Sequence, residues 1–533
     1  MNQFIEKYAA EISGMLTGFD RLVFRGTLRR LNFCRFDKGL KQFVGAGMEN
    51  YLYANQILFK DYYDYVRKIS KQIKETILEP LEAQGVPYHW APDNSEEKSA
   101  IARRYAKERG VSSGMVCVVG ATEPSPTFEH RGKHIIRRKR PCYVLYQYQI
   151  HPQFGWMHAR LQTYFPFNIQ VALNGREWLS RQMAQQGMKF IQEGNCFPWI
   201  EDFVKAQDLM NEQMKTNWGE VLNTIARSLN PQHESIFSRY PVDYYWTCDQ
   251  SEWATDLVFR DPELLKRLSD RMVRYAVLNQ SSADVMRYFG KKVNLSGEIP
   301  ASFGGTLKMD LKRRKEGARV KFSLNGNSAK FYDKAYHELG NVLRVAETTL
   351  VNVKDFQAYR SKEGGPEEDL QWRPMRKGIA DLHRRTEVSQ KTNERLMNAL
   401  ASLDDSRSVQ ELTEGIQKRT TLGGRKVRGL RPWGADKELL TAINHGEFLI
   451  NGFRNRNLRE LLYGDGSVSA KEQKRQSAAI SRKLRLLRAH GIVRKVSRTH
   501  RYQITDTGRA ILAAVLMTAS ATVYELSRLG QAA

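Results

Sequence analysis

The chain has little cysteine, and none of it in pairs. Cys34, Cys117, Cys142, Cys196 and Cys248 are scattered over 533 positions without a C-x-x-C spacing. That excludes a disulfide framework and a cysteine-built zinc site, and fits a reducing compartment. Long hydrophobic runs are missing too. The most apolar stretch, "AILAAVLMTASATVY", falls short of the roughly 18 to 20 apolar residues that a membrane span needs, and is diluted by Ala, Ser and Thr. The opening "MNQFIEKYAAEISGML" carries two glutamates and reads as an amphipathic helix, not a signal. A cytoplasmic protein without a membrane partner is expected. Acidic residues are the third shortage. There are 58 Asp plus Glu against 84 Lys plus Arg, a net charge of +26 with a pI near 9.7. A surplus this large favours a polyanionic partner, most often nucleic acid.

What is present divides into blocks. Residues 1–112 read as mainly helical, with long amphipathic helices in "FKDYYDYVRKISKQIKETILEPLEAQG" and "NSEEKSAIARRYAKERG". From 113 the period shortens to two in "GMVCVVGAT", "CYVLYQYQIH" and "WMHARLQTYF", and helices return up to 290. A second β-rich block, 291–418, holds "TLKMDLKRR", "ARVKFSLN", "SAKFYDK" and "NVLRVAETTLV", followed by helices. Residues 419–434, "RTTLGGRKVRGLRPWG", read as a basic linker. The expected class is α+β, with antiparallel sheet blocks flanked by helices. The tetrapeptide "LVFR" occurs at 22–25 and again at 257–260, each time near an aspartate; one such coincidence does not establish a repeat.

Residues 435–533 contain, in order, the parts of a winged helix-turn-helix domain. Two short helices precede the long "SAKEQKRQSAAISRKLRLLRAHG", and the strands "IVRKV" and "RYQIT" flank the wing "SRTH". In the long helix Ile480, Leu484 and Leu487 form an apolar stripe, while Arg475, Arg482 and Arg485 fall on the opposite face and Lys471 and Lys474 open the helix. A helix of that kind can enter a major groove. Arg498, His500 and Arg501 place charge on the wing. From Lys418 onward 23 Lys and Arg face 8 Asp and Glu, a surplus of 15 that is more than half of the chain's total. The region resembles the winged-helix DNA-binding domains of bacterial regulators in "LRLLRAHGIVRKV" and "THRYQITDTGR", which implies double-stranded DNA as partner.

Candidate chemistry lies in the β-rich blocks. Asp249, Glu252 and Asp256 would share one face if their segment were helical, a set able to hold Mg²⁺ or Mn²⁺ for phosphodiester chemistry; salt-bridged surface acids are the competing reading. In "YQYQIH-PQFG-WMHARLQ" a hairpin with a four-residue loop would set His151 opposite Trp156 and bring His151 and His158 to one face as a diagonal metal-binding pair. Arg137, Arg138, Lys139 and Arg140 form a basic run beside a strand, a candidate backbone-tracking surface.

In "NSAKFYDKAYHELGNVLRVAETT" strict alternation puts Lys330, Tyr332 and Lys334 on one face, where they can meet a phosphate backbone. The same alternation puts Arg344 with Ala346, and Glu347 on the opposite face. This stretch resembles part of the catalytic sheet of rolling-circle replication initiators. Such a resemblance makes Tyr332 a candidate nucleophile, and Tyr359, with Lys362 three residues on, a competing one. The His-x-His strand of those enzymes is absent here. Through "GFDRLVFRGTLRRL", "HARLQTYFPFNIQVALNGREWL", "DQSEWATDLVF" and "LHRRTEVSQ" the chain as a whole resembles a family of large bacterial proteins that look like products of mobile elements. That resemblance carries no activity. Three readings stay open: a metal-dependent strand-processing enzyme of a mobile element, a non-catalytic DNA-binding regulator or architectural factor, and an RNA-binding or RNA-guided protein.

Overall fold

Period-two strands hold more of the first 350 residues than helices do. The computed structural model describes residues 2–521 except 30–32, 37–38, 43–44, 94, 292, 294–302, 315–316, 334–341, 363–365, 367, 402–408, 446–447, 449–451, 465, 467–468 and 497–498. Both β-rich blocks, together with two strands of the N-terminal region, join in one eleven-stranded sheet. Its strands are β1 (Ile12–Leu28), β2 (Tyr88–Ala91), β3 (Gly114–Arg131), β4 (His134–His151), β5 (Gly155–Gln162), β6 (Ile169–Asn174), β7 (Tyr244–Phe259), β8 (Leu307–Arg314), β9 (Gly317–Leu324), β10 (Asn327–Asp333) and β11 (Val342–Leu350). The order across the sheet is β8-β9-β10-β11-β7-β1-β6-β5-β4-β3-β2. Neighbours are antiparallel except the edge pair β2–β3. The N-terminal segment thus departs from the expected amphipathic helix: only Gln3–Lys7 is helical before β1 begins.

The order reveals a repeat. β1 is followed by helices, then by the meander β3 to β6, whose last strand returns to pair with β1. In the same way β7 is followed by helices, then by the meander β8 to β11, whose last strand pairs with β7. The two halves meet at the antiparallel β1–β7 pair. "LVF" of the "LVFR" tetrapeptide sits on both of those strands, preceded by "GFDR" in one and "ATD" in the other. Asp20 and Asp256 therefore occupy corresponding places; at Asp20, β1 holds one extra residue, between the Phe19–Trp253 and Arg21–Glu252 pairs.

One sheet face is apolar and carries the helices. Between β1 and β3 runs α1 (Tyr62–Ala83), whose Val66, Ile69, Ile73 and Ile77 are buried with Leu145, Leu161 and Ile169. The second half repeats this with α2 (Pro262–Asn279), which buries Leu265, Leu268 and Met272 with Leu257, Phe322 and Leu343, and with α3 (Leu382–Leu400). Burying such side chains stabilises by about 1.5–3 kcal/mol each. The other face of the sheet is polar near its middle. It is partly roofed by helices Gly175–Gln185 and Phe203–Glu212 and by the hairpin Phe190–Glu193/Cys196–Ile200. Gly175 allows the first of these helices to start against β1, since a Cβ there would lie 2.3 Å from the Phe19 carbonyl oxygen.

The C-terminal residues have their own apolar core. Helices Lys437–Ile443, Asn455–Tyr463 and Ala470–Ala489 are followed by the pair Val493–Lys495/Arg501–Ile504 and by helix Asp506–Ser520. A short strand not expected from the sequence, Phe453–Arg454, pairs with Arg501 and Tyr502. The expected linker is ordered: Thr420–Leu422 and Arg425–Val427 form a hairpin turned at Gly423–Gly424, both with positive φ, and Val427 and Leu430 enter the core. Among the described residues no helix is long and apolar enough to cross a membrane.

Candidate functional site

The acids of β7 are set by strand geometry, which corrects the helical expectation. Glu252 and Asp256 share the polar face, whereas Asp249 is an extra residue between the Val23–Gln250 and Phe24–Cys248 pairs. Asp249 turns to Arg25, its Oδ2 2.6 Å from Nε. The three expected ligands therefore do not converge. Glu252 instead meets Asp20 of β1 and Glu347 of β11: one carboxylate oxygen from each lies within 4.8 Å of the others.

A bulge brings Glu347 there. Thr255 pairs with Ala346 and Asp256 with Arg344, so position 345 is extra. Strict alternation would have placed Arg344 and Glu347 on opposite faces; the extra residue returns them to one face, 3.3 Å apart. Arg344 is fully buried and holds both oxygens of Asp256, at 2.6 and 2.9 Å, while its Nη1 lies 3.1 Å from Asp20. Arg176, equally buried, lies 3.3 Å from Asp256 and 3.8 Å from Asp20. The Asn195 side chain donates to Asp20 Oδ2 at 3.1 Å, and its carbonyl accepts from Arg344. Asp20 Oδ1, buried beside Arg176, accepts no hydrogen bond from a described residue.

Lys330 and Tyr332 complete the cluster and are not the phosphate-facing surface that alternation suggested. Lys330 is ion-paired with Glu347, and the Tyr332 hydroxyl donates to Glu347 at 2.8 Å. Burial, then the Glu347 carboxylate, raise the Tyr332 phenol well above its ordinary pKa, which makes it a poor nucleophile. Burial opposes ionisation of Glu347 as well, but Lys330, Arg344 and the Tyr332 hydrogen bond outweigh it and hold the carboxyl well below the usual range. Glu252 goes the other way. Burial and the nearby Glu347 push it up to about 6, against the pull of Lys330 and Arg21. Four carboxylates thus face three buried or half-buried cations, with Arg21 exposed at the rim. The surplus negative charge is neutralised by a proton on Glu252 below about pH 6 and is otherwise available to a cation. The oxygens of Asp20, Glu252 and Glu347 form a set that could hold a metal ion.

Beside the cluster a cleft of about 640 Å³ opens between helix Lys98–Glu108 and the sheet, lined by Arg21, Arg103, Trp156, His158 and Asn195 among others. His158 is on its floor. Burial and Arg21 lower its pKa to about 4, so the imidazole is neutral at neutral pH. The expected histidine pair does not form. The loop has three residues, so His151 faces Gly155, Trp156 faces Ile150 and His158 faces Tyr148. That slip by one puts His151 on the other face, where its Nδ1 accepts from the Gln153 and Phe154 amides.

The remaining candidates are spread out. Tyr359 is 54% exposed on a separate two-stranded ribbon, paired with Trp372, which is 70% exposed. Arg137 is half-buried and its charge is disfavoured by burial and by Arg25; Arg138, Lys139 and Arg140 are exposed. On the long C-terminal helix Ile480, Leu484 and Leu487 are buried as expected. Lys471, Lys474, Arg475 and Arg482 are exposed and Arg485 is half-buried, with Arg475 ion-paired to Glu472 at 2.8 Å. His500 and Arg501 are exposed. Lys334 and Arg498 lie outside the described residues.

Sequence reading missed Asp20, Arg176 and Asn195 as parts of the site, and misplaced Glu347. The available signal was the repeated "D(R)LVFR", which marks Asp20 and Asp256 as a pair. No protein-family model, curated protein or solved structure matches the chain.

Proposed function

We propose that the protein is a DNA-processing enzyme of a mobile element, which docks on duplex DNA through a C-terminal winged helix and acts on a phosphodiester at Asp20, Glu252 and Glu347. The observation that carries the reading is the convergence of these three carboxylates from three strands, beside a cleft with an arginine at its inner rim. An Mg²⁺ or Mn²⁺ ion held there would polarise a phosphoryl oxygen and activate a water. Glu252, already poised near neutrality, is the residue to give up or take a proton as the ion or substrate arrives. Arg21, exposed next to Glu252, would meet the phosphate. The docking role is supported by the helix and strand order of the C-terminal residues and by the exposed Lys471, Lys474 and Arg482 on one helix.

The test is incubation of labelled single- and double-stranded DNA, and of RNA, with Mg²⁺ or Mn²⁺ and then with chelator. The expected result is metal-dependent nicking lost in Glu252→Gln and kept in Asp249→Asn. Binding without cleavage in every arm would sink the enzyme reading and leave a DNA-binding regulator, a role favoured by the cationic partners that surround Asp20, Asp256 and Glu347. RNA cleaved or retained in preference to DNA would make RNA the partner.

A further inference from the structure

A second cleft, of about 550 Å³, lies on the helix-covered side of the sheet, between α1 and strands β3 and β4. From α1 it receives Tyr63, Arg67 and Lys74, from β4 Arg140 and Tyr143, and from the turn after β5 Tyr164. No carboxylate is among its described lining residues. Lys74 lies 4.7 Å from the Tyr143 ring centre, with no described acidic partner within ion-pair distance. Arg67 and Arg140 have only loose acidic partners, Asp64 and Glu129, each at 3.6 Å; Arg67 also reaches the Tyr164 hydroxyl within the cleft, and both arginine side chains are more than half exposed. Three cations therefore face one opening with little to neutralise them. The surrounding rings supply planar apolar surface. Trp90 stacks on Tyr143 at 5.3 Å and 16°, and is itself 42% exposed.

Cations beside partly open aromatic rings, without base-specific geometry, suit a strand whose bases are unpaired. The volume suits one nucleotide. Beyond Arg140 the exposed Lys139 and Arg138 extend the positive charge along the outer end of β4, as the backbone of a polyanion requires and a lone phosphate does not.

We propose that this cleft binds one nucleotide of a single-stranded nucleic acid, its phosphate held by Arg67, Lys74 and Arg140 and its base against Tyr63 and Tyr164, with the exposed face of Trp90 taking a neighbouring base. The inference rests on nucleic acid being the ligand of this chain. It depends neither on the carboxylate cluster nor on the C-terminal helix.

Binding to the full-length protein is measured by calorimetry with four small probes: dTMP, thymidine, inorganic phosphate and O-phosphotyrosine. The expected result is one dTMP site per chain, with each other probe at least about tenfold weaker. In Arg67→Glu/Lys74→Glu, changed at the cleft mouth, dTMP binding falls at least about tenfold while the melting temperature is unchanged. An oligothymidylate carrying one 5-iododeoxyuridine should photocrosslink to peptides containing Tyr63 or Tyr164. The salt slope of oligothymidylate binding should fall by about one for each cation removed. Inorganic phosphate or O-phosphotyrosine binding as tightly as dTMP would overturn the proposal, as would undiminished dTMP binding by the double variant or crosslinks confined to other peptides. Should the charge reversals unfold the protein, Arg67→Gln alone, at a side chain 71% exposed, gives the same reading. Loss of nicking in Glu252→Gln with dTMP binding intact separates the two proposals.

Discussion

Arg344 Nη1 lies 3.1 Å from Asp20 Oδ2, so the last strand of the second half reaches the first strand of the first. The same guanidinium holds Asp256, the counterpart of Asp20 in the repeat. Removing Arg344 would take one cationic partner from three buried carboxylates, Asp20, Asp256 and Glu347. Arg344→Met is expected to cost about 3–5 kcal/mol, the usual penalty for breaking a buried pair from one side. Chemical denaturation measures it; a loss below about 1 kcal/mol would mean that Arg176 alone suffices.

Glu252 and Glu347 give the stability curve opposite slopes in different pH ranges. The raised pKa of Glu252, about 6 in the fold, means that the folded protein binds this proton more tightly than the unfolded chain. Its contribution is complete below about pH 4.5 and is lost as pH rises through 6. The shift corresponds to about 2 kcal/mol. The contribution of Glu347, held low by Lys330 and Arg344, is complete above its ordinary pKa and disappears on strong acidification. In Glu252→Gln the fall between pH 4.5 and 6 should flatten, while the acid limb remains. An unchanged profile would show that Glu252 titrates normally.

Metal binding should depend on the same proton. Mn²⁺ is expected to raise the melting temperature at pH 7.5 and to do so much less at pH 5, where Glu252 remains protonated. Glu252→Gln should abolish the effect, and Asp249→Asn, whose carboxylate is paired with Arg25, should leave it intact. The reverse pattern would restore the sequence-based ligand set.

Tyr332→Phe removes only the hydroxyl that donates to Glu347. The expected cost is about 1 kcal/mol, with metal-dependent nicking retained. A covalent tyrosyl–DNA product that disappears in this variant would make Tyr332 the nucleophile after all.

Much of the fold was readable locally, because strands and helices announce themselves by period. β8 to β11 and the C-terminal helices lie close to where alternation and apolar stripes put them. The site was not readable in the same way. Its acids stand at 20, 252 and 347, and nothing local links positions so far apart. Three single-residue irregularities also decide which side chains meet: the extra residues at 20 and 345, and the short loop before Gly155. Each reverses a facing that strict alternation gets wrong, and none has a strong composition signal.

The repeated halves have a consequence for symmetry. Half of this sheet, standing alone, would expose β1 or β7 as a bare edge strand able to pair with a second copy. Two copies paired there would form a symmetric dimer with an aspartate from each beside the axis. The present chain holds that layout within one polypeptide, so the two sides need not be identical. Asp256 and Asp20 both meet Arg344 and Arg176, and Asp20 in addition meets two glutamates beside a cleft.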